Sequence, residues 1–143
     1  MKIAEKLPIL AVIAVLGGGF AIMVGNFGNS SGSTASAGLV IPDLSAPAMD
    51  GKTAFDANCL ACHGPNATGS EMGPPLIHKI YNPGHHSDES FFLAGRRGTR
   101  QHHWKFGDMP AQPQVSAGQM AMIIQYVREM QVANGIESEL HKM

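Results

Sequence analysis

The chain is nearly empty of cysteine: of its 143 residues only Cys59 and Cys62 carry a thiol. A zinc knuckle would need a second ligand pair at regular spacing, and none of the histidines supplies one. A disulfide across the two intervening residues is sterically poor. An excess of charge is also lacking, with 10 Lys+Arg against 11 Asp+Glu and a net charge of −1, so charge gives no argument for binding nucleic acid. No stretch alternates apolar and polar residues as a strand does, and there is no internal repeat. Nothing has the pattern of a Ser/His/Asp or paired-carboxylate centre, and Asp108 reads as the cap of a turn rather than a catalyst. The length suits one domain, not two. Charge is absent altogether between Lys6 and Asp43.

What the chain does have is Cys59-Leu60-Ala61-Cys62-His63. This is the spacing of a c-type haem attachment site. Two thiols two residues apart can each add to a vinyl group of one haem, and the adjoining His63 is held under the iron as an axial ligand. With no further cysteine, at most one haem c is covalently bound. A thioredoxin-type pair shares the C-x-x-C spacing but belongs near a βαβ pattern, which is missing.

The opposite iron face needs a ligand. The chain offers nine methionines and seven histidines, and Met109 is the choice, in the loop Gly107-Asp108-Met109-Pro110. Pro110 restricts the backbone beside it, and His/Met ligation raises the reduction potential. Met72 is too close to His63, while Met120, Met122 and Met130 belong to or lie beside the last helix. His102 and His103 are the rivals, and bis-histidine ligation would lower the potential instead.

The uncharged stretch holds an apolar run over residues 7–24, broken by Pro8 and three glycines. At 1.5 Å per residue it reaches roughly 27 Å, near the thickness of a bilayer core. Residues 1–25 therefore read as a signal anchor or, if Ala35-Ser36-Ala37 is cut, a signal peptide; the distance of that site from the run favours the anchor. Lys2 and Lys6 place the N-terminus in the cytoplasm, so the remainder is exported, to the side where c-type haem is attached. Residues 26–47 form a flexible linker, of which 40–47 lie against the domain surface. Residues 48–136 form the haem domain and 137–143 a polar tail.

Within the domain, Asp50 caps a helix over 51–59 with Phe55 in the core. Residues 64–75 are loop. Ser87 or Asp88 caps a helix over 89–97 that buries Phe91, Phe92 and Leu93 and stops at Gly98. Residues 100–114 are loop again. Ser116 and Gln119 make a capping box for a helix running to Ala133, with Met120, Ile123, Ile124, Val127 and Met130 at helical spacing.

Over about residues 49–136 the chain resembles class I (mitochondrial-type) monohaem cytochromes c of bacteria. The resemblance rests on the Cys59–His63 motif, on Gly73-Pro74-Pro75-Leu76, on Met109-Pro110 with Trp104 ahead of it, and on the final amphipathic helix with Tyr126. It implies an all-α fold, three main helices and long loops wrapped round one covalent haem. It further implies that the Pro74 carbonyl orients His63, that Trp104 donates to a haem propionate, and that Gly51 and Phe55 meet Ile123, Tyr126 and Val127. The implied work is one-electron transfer between redox proteins, by a carrier anchored through its N-terminal helix at the periplasmic face of the cytoplasmic membrane, with no small-molecule substrate and no nucleic acid. The competing readings are a fixed cytochrome c subunit of a membrane oxidoreductase complex, and a haem sensor with a labile sixth ligand.

One stretch departs from that pattern. His85, His86, His102 and His103 accompany Arg96, Arg97, Arg100 and Lys105. They read as solvated surface, as propionate contacts, as a docking patch for an acidic partner, or as copper or zinc ligands.

Overall fold

The computed structural model describes residues 38–138. Among them are the helices α1 (Ala46–Asn58), α2 (Leu60–His63, a single turn), α3 (Asp88–Arg97) and α4 (Ala117–Ala133), with 3-10 turns at Pro65–Ala67 and Lys79–Tyr81. No strand occurs among the described residues; one isolated antiparallel bridge joins Thr99 and Met109. No described helix is long and apolar enough to cross a membrane. The apolar run 7–24, read as anchor or signal peptide, and residues 26–37 of the linker lie outside the described residues.

The first helix begins five residues before the expected start. Its cap is Ser45, whose Oγ accepts the Ala48 N–H at 3.3 Å, not Asp50, which sits inside the helix. Pro47 falls in the first turn, where a missing N–H leaves no hydrogen bond broken. The Glu129 carboxylate of α4 takes both the Ser45 N–H and Oγ–H, at 2.9 and 2.6 Å. Just upstream, the Asn134 side chain accepts the Val40 N–H at 2.9 Å and donates to the Val40 carbonyl at 2.7 Å, and Leu39 and Leu44 pack on the core.

The other two long helices follow local signals. Ser87 caps α3 and Gly98 ends it at φ 74°, a left-handed conformation suited to glycine. Asp88 and Glu89 in its first turn and Arg96 and Arg97 in its last complement the helix dipole. Phe91, Phe92 and Leu93, expected to be buried, are only half-buried; Phe91 faces a cavity rather than a filled core. In α4 both hydrogen bonds of the Ser116/Gln119 capping box are present.

The core is the crossing of α1 and α4. Phe55, Tyr126, Val127 and Met130 are fully buried there, with the Phe55 and Tyr126 rings 5.4 Å apart. The backbones come so close that a Cβ on Gly51 would stand 1.9 Å from the Met122 carbonyl oxygen. Gln131, also fully buried, donates from Nε2 to the carbonyls of Leu76 and Tyr81. It ties the long loop between α2 and α3 to α4.

Candidate haem site

The short helix α2 follows α1 after a one-residue break at Cys59, whose N–H still reaches Phe55 O. Gly64, at φ 70°, then turns the chain back. The returning loop is held by Gly69 N–H on His63 O at 2.7 Å and by Ser70 Oγ–H on Cys62 O at 2.6 Å. This return brings Pro74 to His63. The Pro74 carbonyl lies 2.9 Å from His63 Nδ1. A carbonyl can only accept, so Nδ1 carries the ring proton and Nε2 is left with a free lone pair. Burial pushes the His63 pKa down, while the Pro74 carbonyl pulls the other way; the net downward shift favours the neutral ring that a metal ligand needs.

Cys59 stands at the edge of the same space. Burial, with Cys62 behind it, pushes its thiol up to about 11. A thiol so raised is the opposite of the acidic nucleophile of a redox pair, and it leaves the haem-attachment reading of the two cysteines in place.

A cavity of about 380 Å³ opens above His63, within the usual range for a cofactor site. Cys59, His63, Pro74, Trp104 and Met109 all line it, among Phe55, Leu76, Ile123 and Val127. A smaller adjoining space of about 90 Å³ is lined by Cys62 together with Cys59, His63 and Met109. All six residues singled out in the sequence thus line these two neighbouring spaces. Met109 is positioned by pairing with Thr99: each N–H donates to the other's carbonyl, at 2.9 and 3.0 Å. Gly98 permits this pairing, since a Cβ there would lie 2.6 Å from Met109 O.

The polar atoms also fit a haem. Trp104 Nε1 is buried and donates to nothing. The Tyr81 hydroxyl, pushed up by burial and pulled back by the indole, feels Trp104 but makes no hydrogen bond of acceptable geometry with it. A buried N–H without an acceptor is costly, and a propionate carboxylate is a suitable acceptor. Sequence reasoning missed Tyr81, Gln101, Phe106 and Gln112 as lining residues. Only their nearness to the two loops could have suggested them.

A helical domain that gathers Cys-x-x-Cys-His, a free imidazole nitrogen and a loop methionine round one apolar cavity defines a c-type haem protein. The cytochrome c family matches residues 48–131, more than half of the chain, and the chain belongs to that family. Its cofactor is haem c, attached through Cys59 and Cys62. No curated protein matches the chain. Among solved structures it is similar to the c-type cytochrome XoxG from Methylobacterium extorquens AM1, with a TM-score of 0.52 and 20% identity over 69% of this chain. The match spans 61% of that protein's length, and at this identity it speaks for the fold alone.

Proposed function

We propose that the chain is a one-electron carrier of the class I bacterial cytochromes c, with His63 and Met109 as the axial ligands of haem c. The observation that carries this is that His63 and Met109, held by unrelated devices, line one cavity. Bound there, haem c supplies a one-electron couple. Pro74 keeps the Nδ1 proton of His63 and so aims Nε2 at the metal. Phe55, Leu76, Ile123 and Val127 exclude water, which limits reorganisation when charge changes. Trp104 Nε1–H is the donor available to a propionate. With His63 and Met109 both holding the iron, no substrate would need to coordinate, and redox proteins would meet the domain in small, transient interfaces.

The visible spectrum of the purified holoprotein, oxidised and reduced, with and without carbon monoxide, tests this reading. A low-spin c-type spectrum with the weak sulfur-to-ferric-iron band, indifferent to carbon monoxide, is expected. Met109→Ala should keep the covalent haem, lose that band and bind carbon monoxide. An unchanged spectrum in Met109→Ala would refute the ligand assignment. The apolar run 7–24 after Lys2 and Lys6 supports anchoring at the periplasmic face of the cytoplasmic membrane. The full chain should then fractionate with membranes and be released only by detergent; release by salt alone would count against it.

A further inference from the structure

Four histidines apart from His63 converge at the rim of the haem cavity. His85 and His86 come from the loop before α3, and His102 and His103 from the loop after it. His85 Nε2 and His103 Nε2 are 3.3 Å apart, and His86 Nε2 and His102 Nε2 are 3.4 Å apart. Ring nitrogens of His85, His86 and His103 all lie within 4.8 Å of one another.

The protons decide what these contacts are. His86 Nδ1 lies 2.8 Å from the Ile80 carbonyl, and His102 Nδ1 lies 2.8 Å from the Arg100 carbonyl. Each Nδ1 must therefore carry the proton, and in the neutral rings both Nε2 atoms are bare lone pairs. Two lone pairs facing each other at 3.4 Å repel unless a cation lies between them.

A metal ion resolves the conflict. Nitrogens bonded at about 2.0–2.1 Å to a tetrahedral ion are roughly 3.3–3.4 Å apart, which is the spacing of both pairs. An Nδ1–H held by a backbone carbonyl is also the usual support of a ligating histidine. Both loops are braced. The Asn82 side-chain oxygen accepts the N–H groups of Gly84 and His85, and Arg128 donates to His86 O. On the other loop, Asp108 accepts the Gln101 N–H and Gln101 accepts the Gly107 N–H.

We propose that His85, His86 and His103 form a second metal site, with His102 joining it through its contact with His86, taking one divalent copper or zinc ion. An all-imidazole set without thiolate or carboxylate suits these two ions. His86, His102 and His103 also line the haem cavity, so the ion's charge stands at its rim. That charge favours the reduced state of the haem and shifts its potential upward.

The test uses the untagged, haem-loaded full chain, titrated with Zn²⁺ by calorimetry and with Cu²⁺ by electron paramagnetic resonance. One equivalent of either ion should bind, with copper displacing zinc, and the copper spectrum should show coupling to several nitrogens. The double variant His86→Ala/His103→Ala should weaken binding by more than about 100-fold, beyond what loss of a supporting partner costs, with its haem still covalently attached. His78→Ala, outside the set, should bind as the parent does. Equal binding by the double variant, no stoichiometric binding, or a copper spectrum without nitrogen coupling would each overturn the assignment. Should the double variant not fold, the nitrogen coupling in the parent protein decides.

Discussion

Gly51→Ala is the most direct probe of how the two main helices meet. The added Cβ would lie 1.9 Å from Met122 O, 2.4 Å from its carbonyl carbon and 3.0 Å from Ile123 N. All three are backbone atoms, so no side chain can rotate away. Ordinary contact begins near 3.4 Å, and α1 and α4 must part by about 1.5 Å. A gap of 0.5–1 Å already forfeits about a quarter to a half of each dispersion contact, and the contacts at stake are those of Phe55, Tyr126 and Val127. Overpacking of this kind costs at the upper end of about 1–3 kcal/mol, against about 1 kcal/mol gained from alanine's helix propensity. The net is a loss of about 2 kcal/mol, on the order of 10 °C in Tm for a domain of this size. The control is Gly118→Ala, also in a helix but facing open space, where the same substitution should stabilise by up to about 0.5 kcal/mol. Urea unfolding of the haem-loaded protein, followed by far-ultraviolet circular dichroism, measures both. Equal effects at the two positions, or a Gly51→Ala protein as stable as the parent, would refute the close crossing.

Other perturbations bear on separate contacts. The Tyr126 hydroxyl is buried without a hydrogen bond, so Tyr126→Phe should be neutral or stabilising by up to about 1 kcal/mol at pH 7. Burial, then the charge of Asp56, pushes that phenol up to about 12, whereas an unfolded tyrosine titrates near about 10. Between these values the unfolded chain has lost a proton that the folded chain keeps, so stability falls as pH rises; Tyr126→Phe should remove that part of the alkaline loss, and an unchanged pH profile would contradict it. Arg128 donates to Asp88, Gln131 and the carbonyls of Tyr81 and His86; Asp88 is exposed and Tyr81 O keeps Gln131 Nε2, so Arg128→Ala should cost about 1–2 kcal/mol through the lost donor to the buried Gln131 side chain and to His86 O, as read by thermal melting. Asn134→Ala should cost about 1–2 kcal/mol and expose residues 38–45 to limited proteolysis, since both backbone bonds of Val40 depend on that side chain. Trp104→Phe should lower the haem potential in protein-film voltammetry while the fold, by circular dichroism, is kept; an unmoved potential would exclude the indole as a propionate donor.

Residues whose roles are set within a few positions of themselves were legible from the chain alone. The Cys59–His63 spacing is dictated by the covalent reach of two thiols. The Ser116/Gln119 capping box and the stripe Met120, Ile123, Ile124, Val127, Met130 follow from helix geometry, as does the stop at Gly98. Met109 stood out because Pro110 marks its loop. The start of α1 did not: Ser45 competes with Asp50 as a cap, and the structure shows it held by Glu129, which is 84 positions away. The polar Gln131 on an apolar stripe has partners, Leu76 and Tyr81, that come from another loop, so its role is not set by its neighbours in sequence. The half-burial of Phe92 and Leu93 and the meeting of His85 with His103 likewise depend on where long loops travel. Propensity, capping and covalent spacing act locally and leave their mark in consecutive residues. The path of a loop is decided by contacts far apart in sequence, and these exist only once α1 and α4 have crossed and the chain has folded back over them.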